Sequence, residues 1–158
     1  MTLARMCATA EDTQRAGEEF AALLQVGDIV LLDGPLGAGK TTFTQGVARG
    51  LGVHERVTSP TFTVVRQHAC TAHPTLRTLH HADVYRINHL DEVVDLALAE
   101  LVEEDGVALV EWGTLASSVF GDDVITVTFA IDDETRRLEL SGPALARRMS
   151  AAEQWVHA

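Results

Sequence analysis

The chain carries eleven arginines and a single lysine, Lys40. That lysine stands in Gly34-Pro35-Leu36-Gly37-Ala38-Gly39-Lys40-Thr41, with Thr42 following, and the run fits G-x-x-x-x-G-K-[ST] in full. Each residue type has a physical task. Glycines allow backbone angles that turn several N–H groups toward one centre. A helix starting at the lysine adds the partial positive charge of its N-terminus. Lys40 can reach the β- and γ-phosphates as a point charge, and Thr41 can place its hydroxyl on Mg²⁺. The loop is therefore read as a triphosphate site over residues 34–42. It does not say what the bound energy is used for.

Such a loop needs a carboxylate at a neighbouring strand end to hold Mg²⁺. Two apolar runs end in one. Val107-Ala-Leu-Val110 leads into Glu111 and Trp112, and Leu79-His-His-Ala leads into Asp83. In an open α/β sheet such C-terminal strand ends lie beside the phosphate loop. Glu111 is assigned to the metal and Asp83 to orienting or deprotonating the attacking water. Asp33, just before the loop, is read as structural. His81 shares a strand face with Asp83 and is expected to orient that carboxylate. Ser59, Pro60 and Thr61 lie in Thr58-Ser-Pro-Thr-Phe62, which reads either as a γ-phosphate-sensing switch or as an ordinary Ser/Thr/Pro turn. Trp112 reads either as a base-stacking ring or as core. Cys70-x-x-His73 followed by His80-His81 fits no zinc spacing, and no zinc is expected.

These residues must be positioned by a framework. The pattern predicts a helix over 9–26 with Thr9 and Asp12 at capping-box spacing, and a buried strand over 29–33. A helix follows over about 40–51, then strands over 61–68 and 76–84 joined by a turn. An acidic helix is predicted over 90–104, a buried strand over 107–110, and a hairpin from 124–130 and 136–140. Residues 143–157 read as a short helix. The predicted fold class is α/β, P-loop NTPase-like, with a mainly parallel central sheet, flanking helices and an antiparallel C-terminal hairpin. One domain is expected over 1–158, with its core at about 9–140 and a tail at 141–158.

The 158 residues are 46% hydrophobic and 22% charged, which excludes a disordered chain. Twelve basic against 23 acidic residues give a net charge of −11. A chain this acidic is not expected to hold DNA, RNA or an anionic membrane by itself. Two cysteines without a CxxC, and no apolar run of membrane-spanning length, point to the cytoplasm. No basic residue occurs over 87–135, which holds thirteen acids. That stretch reads as a solvated face or as a docking surface for a basic partner.

Four motifs in order carry a resemblance: residues 34–42, Thr-Ser-Pro-Thr-Phe-Thr over 58–63, His-x-Asp-x-Tyr-Arg over 81–86, and Glu111-Trp112. Together they resemble the TsaE (YjeE) family over about residues 9–140, and Thr13-x-x-Ala16-Gly17 resembles that family's Thr-x-x-Leu-Gly. The resemblance implies an ATPase, slow alone, that binds ATP with Mg²⁺. It acts in threonylcarbamoylation of adenosine 37 of tRNA, beside a TsaB–TsaD complex that performs the transfer and meets the tRNA. By motif position Lys40 becomes the phosphate lysine, Thr41 and Glu111 the metal groups, Asp83 the carboxylate for hydrolysis, and Ser59, Pro60 and Thr61 the switch-like loop. The family often has proline where this chain has Gly113, a Leu-Gly element in the acidic helix region where it has Val94-Asp95-Leu96, and Asp where it has Pro35.

Two other functions share the loop. A P-loop small-molecule kinase needs a late lid bearing arginines, which the 87–135 stretch lacks. A nucleotide-gated binding protein without significant turnover differs from an ATPase chiefly at Asp83. A guanine-nucleotide switch needs a second lysine in its base-reading motif and is excluded.

Overall fold

The computed structural model describes residues 3–60, 65–84, 90–95, 97–112 and 117–158. Its elements in chain order are β1 (Leu3–Cys7), α1 (Ala10–Phe20), a 3-10 turn (Ala21–Leu23), β2 (Ile29–Asp33), α2 (Lys40–Gly50), β3 (Val65–Ala69) and β4 (Thr78–Asp83). There follow α3 (Leu90–Asp95), α4 (Leu98–Leu101), β5 (Gly106–Glu111), α5 (Ser117–Phe120), β6 (Ile125–Asp132), β7 (Thr135–Ser141), a 3-10 segment (Pro143–Arg148) and α6 (Met149–His157).

The described strands form one sheet in the order β1-β7-β6-β2-β5-β4-β3. Its middle, β6-β2-β5-β4, is parallel. Both margins are antiparallel, β7 and β1 on one side and β3 on the other. The apolar run of β2 is inside because parallel strands are covered on both faces. Val30 and Leu32 point into a core shared with α1, α2 and the C-terminal segment. Ile29 and Leu31 point the opposite way, into a smaller core with Leu98 and Val102. This is the expected α/β architecture, and it puts the C-terminal ends of β2, β4 and β5 side by side.

Several element boundaries differ from the sequence expectation. The first helix is capped as predicted, with the Asp12 N–H donating to Thr9 Oγ1 and the Thr9 N–H to Asp12 Oδ2, both at 3.1 Å. It ends at Phe20, however, and a tight 3-10 turn replaces the last predicted turns. The acidic helix is two short helices, because Ala97 adopts a left-handed conformation at φ 52° and breaks the ladder. The C-terminal helix starts only at Met149, after a 3-10 segment opened by Pro143. Strand β1 was not expected at all. The first residues of the predicted 61–68 strand lie outside the described residues, as do Tyr85, Arg86, Leu96 and Gly113.

Candidate functional site

The cradle is built where β2 stops and α2 starts. Gly39 caps α2 at φ 102°, a left-handed angle that L side chains rarely adopt, and so a glycine is needed there. Lys40 is the first helical residue and is buried. Its Nζ donates to the Gly34 and Pro35 carbonyls at 2.5 and 3.2 Å, so the loop's own backbone wraps its lysine. Ala38 is buried and ties the turn by donating its N–H to the Pro35 carbonyl, while Leu36 stands exposed at the tip.

Thr41 Oγ1 donates to Glu111 Oε1 at 3.2 Å across 70 residues of sequence. Glu111 closes β5 and is buried. Its other oxygen accepts from His81 Nε2 at 2.7 Å. A carboxylate only accepts, so Nε2 carries the proton of that contact. The sequence reading gave His81 to Asp83. The structure instead spends its one hydrogen bond on Glu111, since Nδ1 has no partner among the described residues. The reason is sheet register. β4 and β5 run parallel with Asp83 opposite Glu111, and a side chain two residues before Asp83 reaches across to the neighbouring strand.

Asp83 is half-buried at the end of β4 and faces the same cleft, a space of about 330 Å³. Lys40, Thr41, Glu111, Trp112 and Ser59 also line it. Pro60 is buried beside it in sequence, and Thr61 lies outside the described residues. Burial pushes the Lys40 ammonium below its ordinary range, while Glu111, Asp33 and Asp83 act in the opposite direction and favour its charge. Asp33 thus has an electrostatic part here, where the sequence suggested only a structural one.

Trp112, read as a base-stacking ring or as core, is partly buried and packs against the smaller core. Its ring lies under the lysine, with Nζ 3.6 Å from the ring centroid, a cation–π contact. Its backbone sits at φ 63° while its N–H holds the Leu32 carbonyl at 2.9 Å. The ring is therefore aimed at the phosphate end of the site.

A threonine hydroxyl and a carboxylate oxygen in contact are hard donors of the kind Mg²⁺ takes, one or two from protein with the rest from phosphate and water. The donor set fits that ion. The arrangement as a whole can hold a polyphosphate against Lys40 and the loop amides, share a cation between Thr41 and Glu111, and present Asp83 to a water. Of the predicted residues, it brings together the loop, Thr41, Glu111, Asp83, Ser59 and Trp112. The His81 contact was missed because nothing in the sequence states the β4–β5 register.

The model of the family described as "Threonylcarbamoyl adenosine biosynthesis protein TsaE" matches residues 7–138. A relative from Treponema pallidum, named "tRNA threonylcarbamoyladenosine biosynthesis protein TsaE", is 40% identical over 123 residues, covering 78% of this chain and 87% of that protein. The protein of the same name from Bacillus subtilis is 41% identical over 126 residues, covering 78% and 76%. Among solved structures, YdiB of Bacillus subtilis superposes with a TM-score of 0.76 at 29% identity, covering 98% of this chain and 94% of that one. With a phosphate-type loop, a matching fold and matches over most of its length, this chain belongs to the TsaE family.

Proposed function

We propose that this chain binds ATP with Mg²⁺ and hydrolyses it in support of threonylcarbamoyladenosine formation on tRNA. It works with a TsaB–TsaD complex rather than transferring the group itself. The observation that carries the reading is the Thr41–Glu111 contact beside the buried Lys40, which gathers residues from the ends of three elements into one oxygen-lined cleft. Lys40 and the loop amides hold the β- and γ-phosphates. Mg²⁺, when bound, neutralises phosphate charge, and Thr41 and Glu111 are the groups that would hold it. Asp83 orients a water toward the γ-phosphorus and takes its proton. The water oxygen bonds to phosphorus as the bond to the bridging oxygen breaks, releasing ADP and phosphate. Among the described residues no helix is long and apolar enough to cross a membrane; a cytoplasmic location is part of the proposal.

The reading separates an ATPase from a nucleotide-gated binder at one residue. Lys40→Ala should abolish ATP binding in a calorimetric titration. Asp83→Ala should keep binding and lower turnover by roughly tenfold or more, in the range of general-base effects. Hydrolysis by Asp83→Ala at the parent rate would remove Asp83 from the chemistry. The same assay with and without the TsaB and TsaD counterparts tests partner stimulation.

A further inference from the structure

We infer that Gln45 is a positioning residue for hydrolysis: from α2 it fixes the segment that brings Ser59 to the γ-phosphate end of the cleft. This rests on the nucleotide reading above and adds to it a residue that does not line the cleft itself.

Gln45 stands four residues after Thr41 on α2, so the two side chains lie on one face, a turn apart. Thr41 meets Glu111 in the cleft. Gln45 reaches the chain beyond the helix instead, where its Nε2 donates to the Val57 carbonyl at 2.9 Å. A carbonyl only accepts, so the amino end of the side-chain amide is the one turned to Val57. Two residues after Val57, Ser59 stands in the cleft wall with Asp83 and Glu111.

Little else holds that segment. Residues 54–56 are exposed. The side chains of His54 and Glu55 meet Thr71 at 3.1 Å and His68 at 2.6 Å, which ties the start of the segment to β3 and the turn after it, not to α2. Among the described residues, the backbone of 54–60 makes no hydrogen bond besides the one from Gln45. Val57 is buried in the larger core, which sets its depth, but apolar burial has no direction. The hydrogen bond has one. It fixes which way the Val57 peptide faces, and with it the course of the chain into Ser59. One helix thus carries the phosphate and cation groups in its first turn and the anchor of Ser59 in its second.

Gln45 is half-buried and borders a cavity of about 400 Å³ together with the exposed Arg49, Glu55 and Arg56. Replacing it changes the wall of an exposed space and opens no void in the core. A loss in its variants therefore reports the hydrogen bond.

Gln45→Leu keeps the bulk and the helix propensity and removes the donor, whereas Gln45→Glu keeps the shape and offers the carbonyl only an acceptor. ATP turnover and the calorimetric affinity for ADP, each with Mg²⁺, are measured on the full chain. Both variants should lower kcat about three- to tenfold, the factor that one hydrogen bond commands, with ADP affinity within about twofold of the parent. In a Ser59→Ala background, Gln45→Leu should lower kcat by less than about twofold further, because the two residues act through one contact. Either variant decides the matter if the other fails to fold. Turnover at the parent rate, a loss of ADP affinity as large as the loss of kcat, or an undiminished further loss on top of Ser59→Ala each overturns the inference and leaves the nucleotide reading standing. A parent chain that neither binds ADP nor hydrolyses ATP overturns that reading and this inference with it.

Discussion

Glu111 is held from two sides, by Thr41 on one oxygen and His81 on the other, and its burial makes both contacts matter. A buried carboxylate must be paired, and a ligating one is aimed by the groups that bond its outer oxygen. His81 is thus a positioning residue. His81→Ala should weaken Mn²⁺ binding in the presence of ATP, followed by electron paramagnetic resonance, by about 10-fold or more, the lower end of what losing a hydrogen bond to a ligating group costs. His81→Gln, which keeps an N–H donor, should recover part of it. Parent-like Mn²⁺ affinity in the alanine variant would show that Thr41 alone orients Glu111. The donor types were legible in the sequence, because a lysine after Gly39 and carboxylates after apolar runs state their chemistry locally. Their partners were not, because the His81 contact depends on the stagger of two strands.

At the scale of elements, the direction of α2 decides where Lys40 and Thr41 point, and α1 decides the direction of α2. The two helices meet backbone to backbone. A Cβ added at Gly46 would lie 1.9 Å from the Gln14 carbonyl oxygen, and one at Gly17 would lie 2.1 Å from that of Phe43. Gly46→Ala should therefore cost stability at or beyond the upper end of about 1–3 kcal/mol for overpacking, since the obstructing atoms are backbone. Urea unfolding measures it, and a loss under about 0.5 kcal/mol, the range of ordinary surface changes, would contradict the close contact. The sequence showed the apolar face of α1 through Ala16, Phe20, Leu23 and Leu24, all buried. It concealed β1 because the inward position between Leu3 and Cys7 is Arg5. Among the described residues that guanidinium meets Glu19, the Trp155 carbonyl at 3.0 Å and the Trp155 ring, none of them near in sequence.

Across the whole molecule, the C-terminal segment returns to the start of the chain. Trp155 Nε1 donates to the Ala16 carbonyl at 2.8 Å, and Arg148 makes a two-pronged contact with Asp28 at 2.6 and 3.0 Å while also holding the Leu23 carbonyl. Ala144, Leu145, Ala152 and Trp155 join the larger core, so residues past 140 help to support α1 and through it the cradle. Asp28→Ala leaves the buried Arg148 without its counter-charge and should destabilise the fold by roughly 3–5 kcal/mol, readable as a lower denaturation midpoint. A loss below about 1 kcal/mol would mean that solvent already reaches the pair. The acids of the 87–135 stretch differ in their surroundings. Glu111 is inside, Asp123 is bonded twice by Arg147, and Asp91, Glu92, Glu100, Glu103 and Glu104 are exposed.

The sequence by itself determined the chemistry offered, the parallel middle of the sheet and the family. Each of these is written in short runs: a glycine-rich loop between a buried strand and a helix, apolar strands ending in acids, and a hairpin of alternating residues. Tertiary structure alone decided that His81 serves Glu111, that Trp112 lies under Lys40, that a first strand built around an arginine exists, and that the two ends of the chain close over one core. These depend on strand register and on contacts spanning 30 to 150 residues, as in the His81–Glu111 and Arg5–Trp155 pairs. Local pattern carries no record of which distant backbone a side chain will meet, and burial then makes that meeting obligatory.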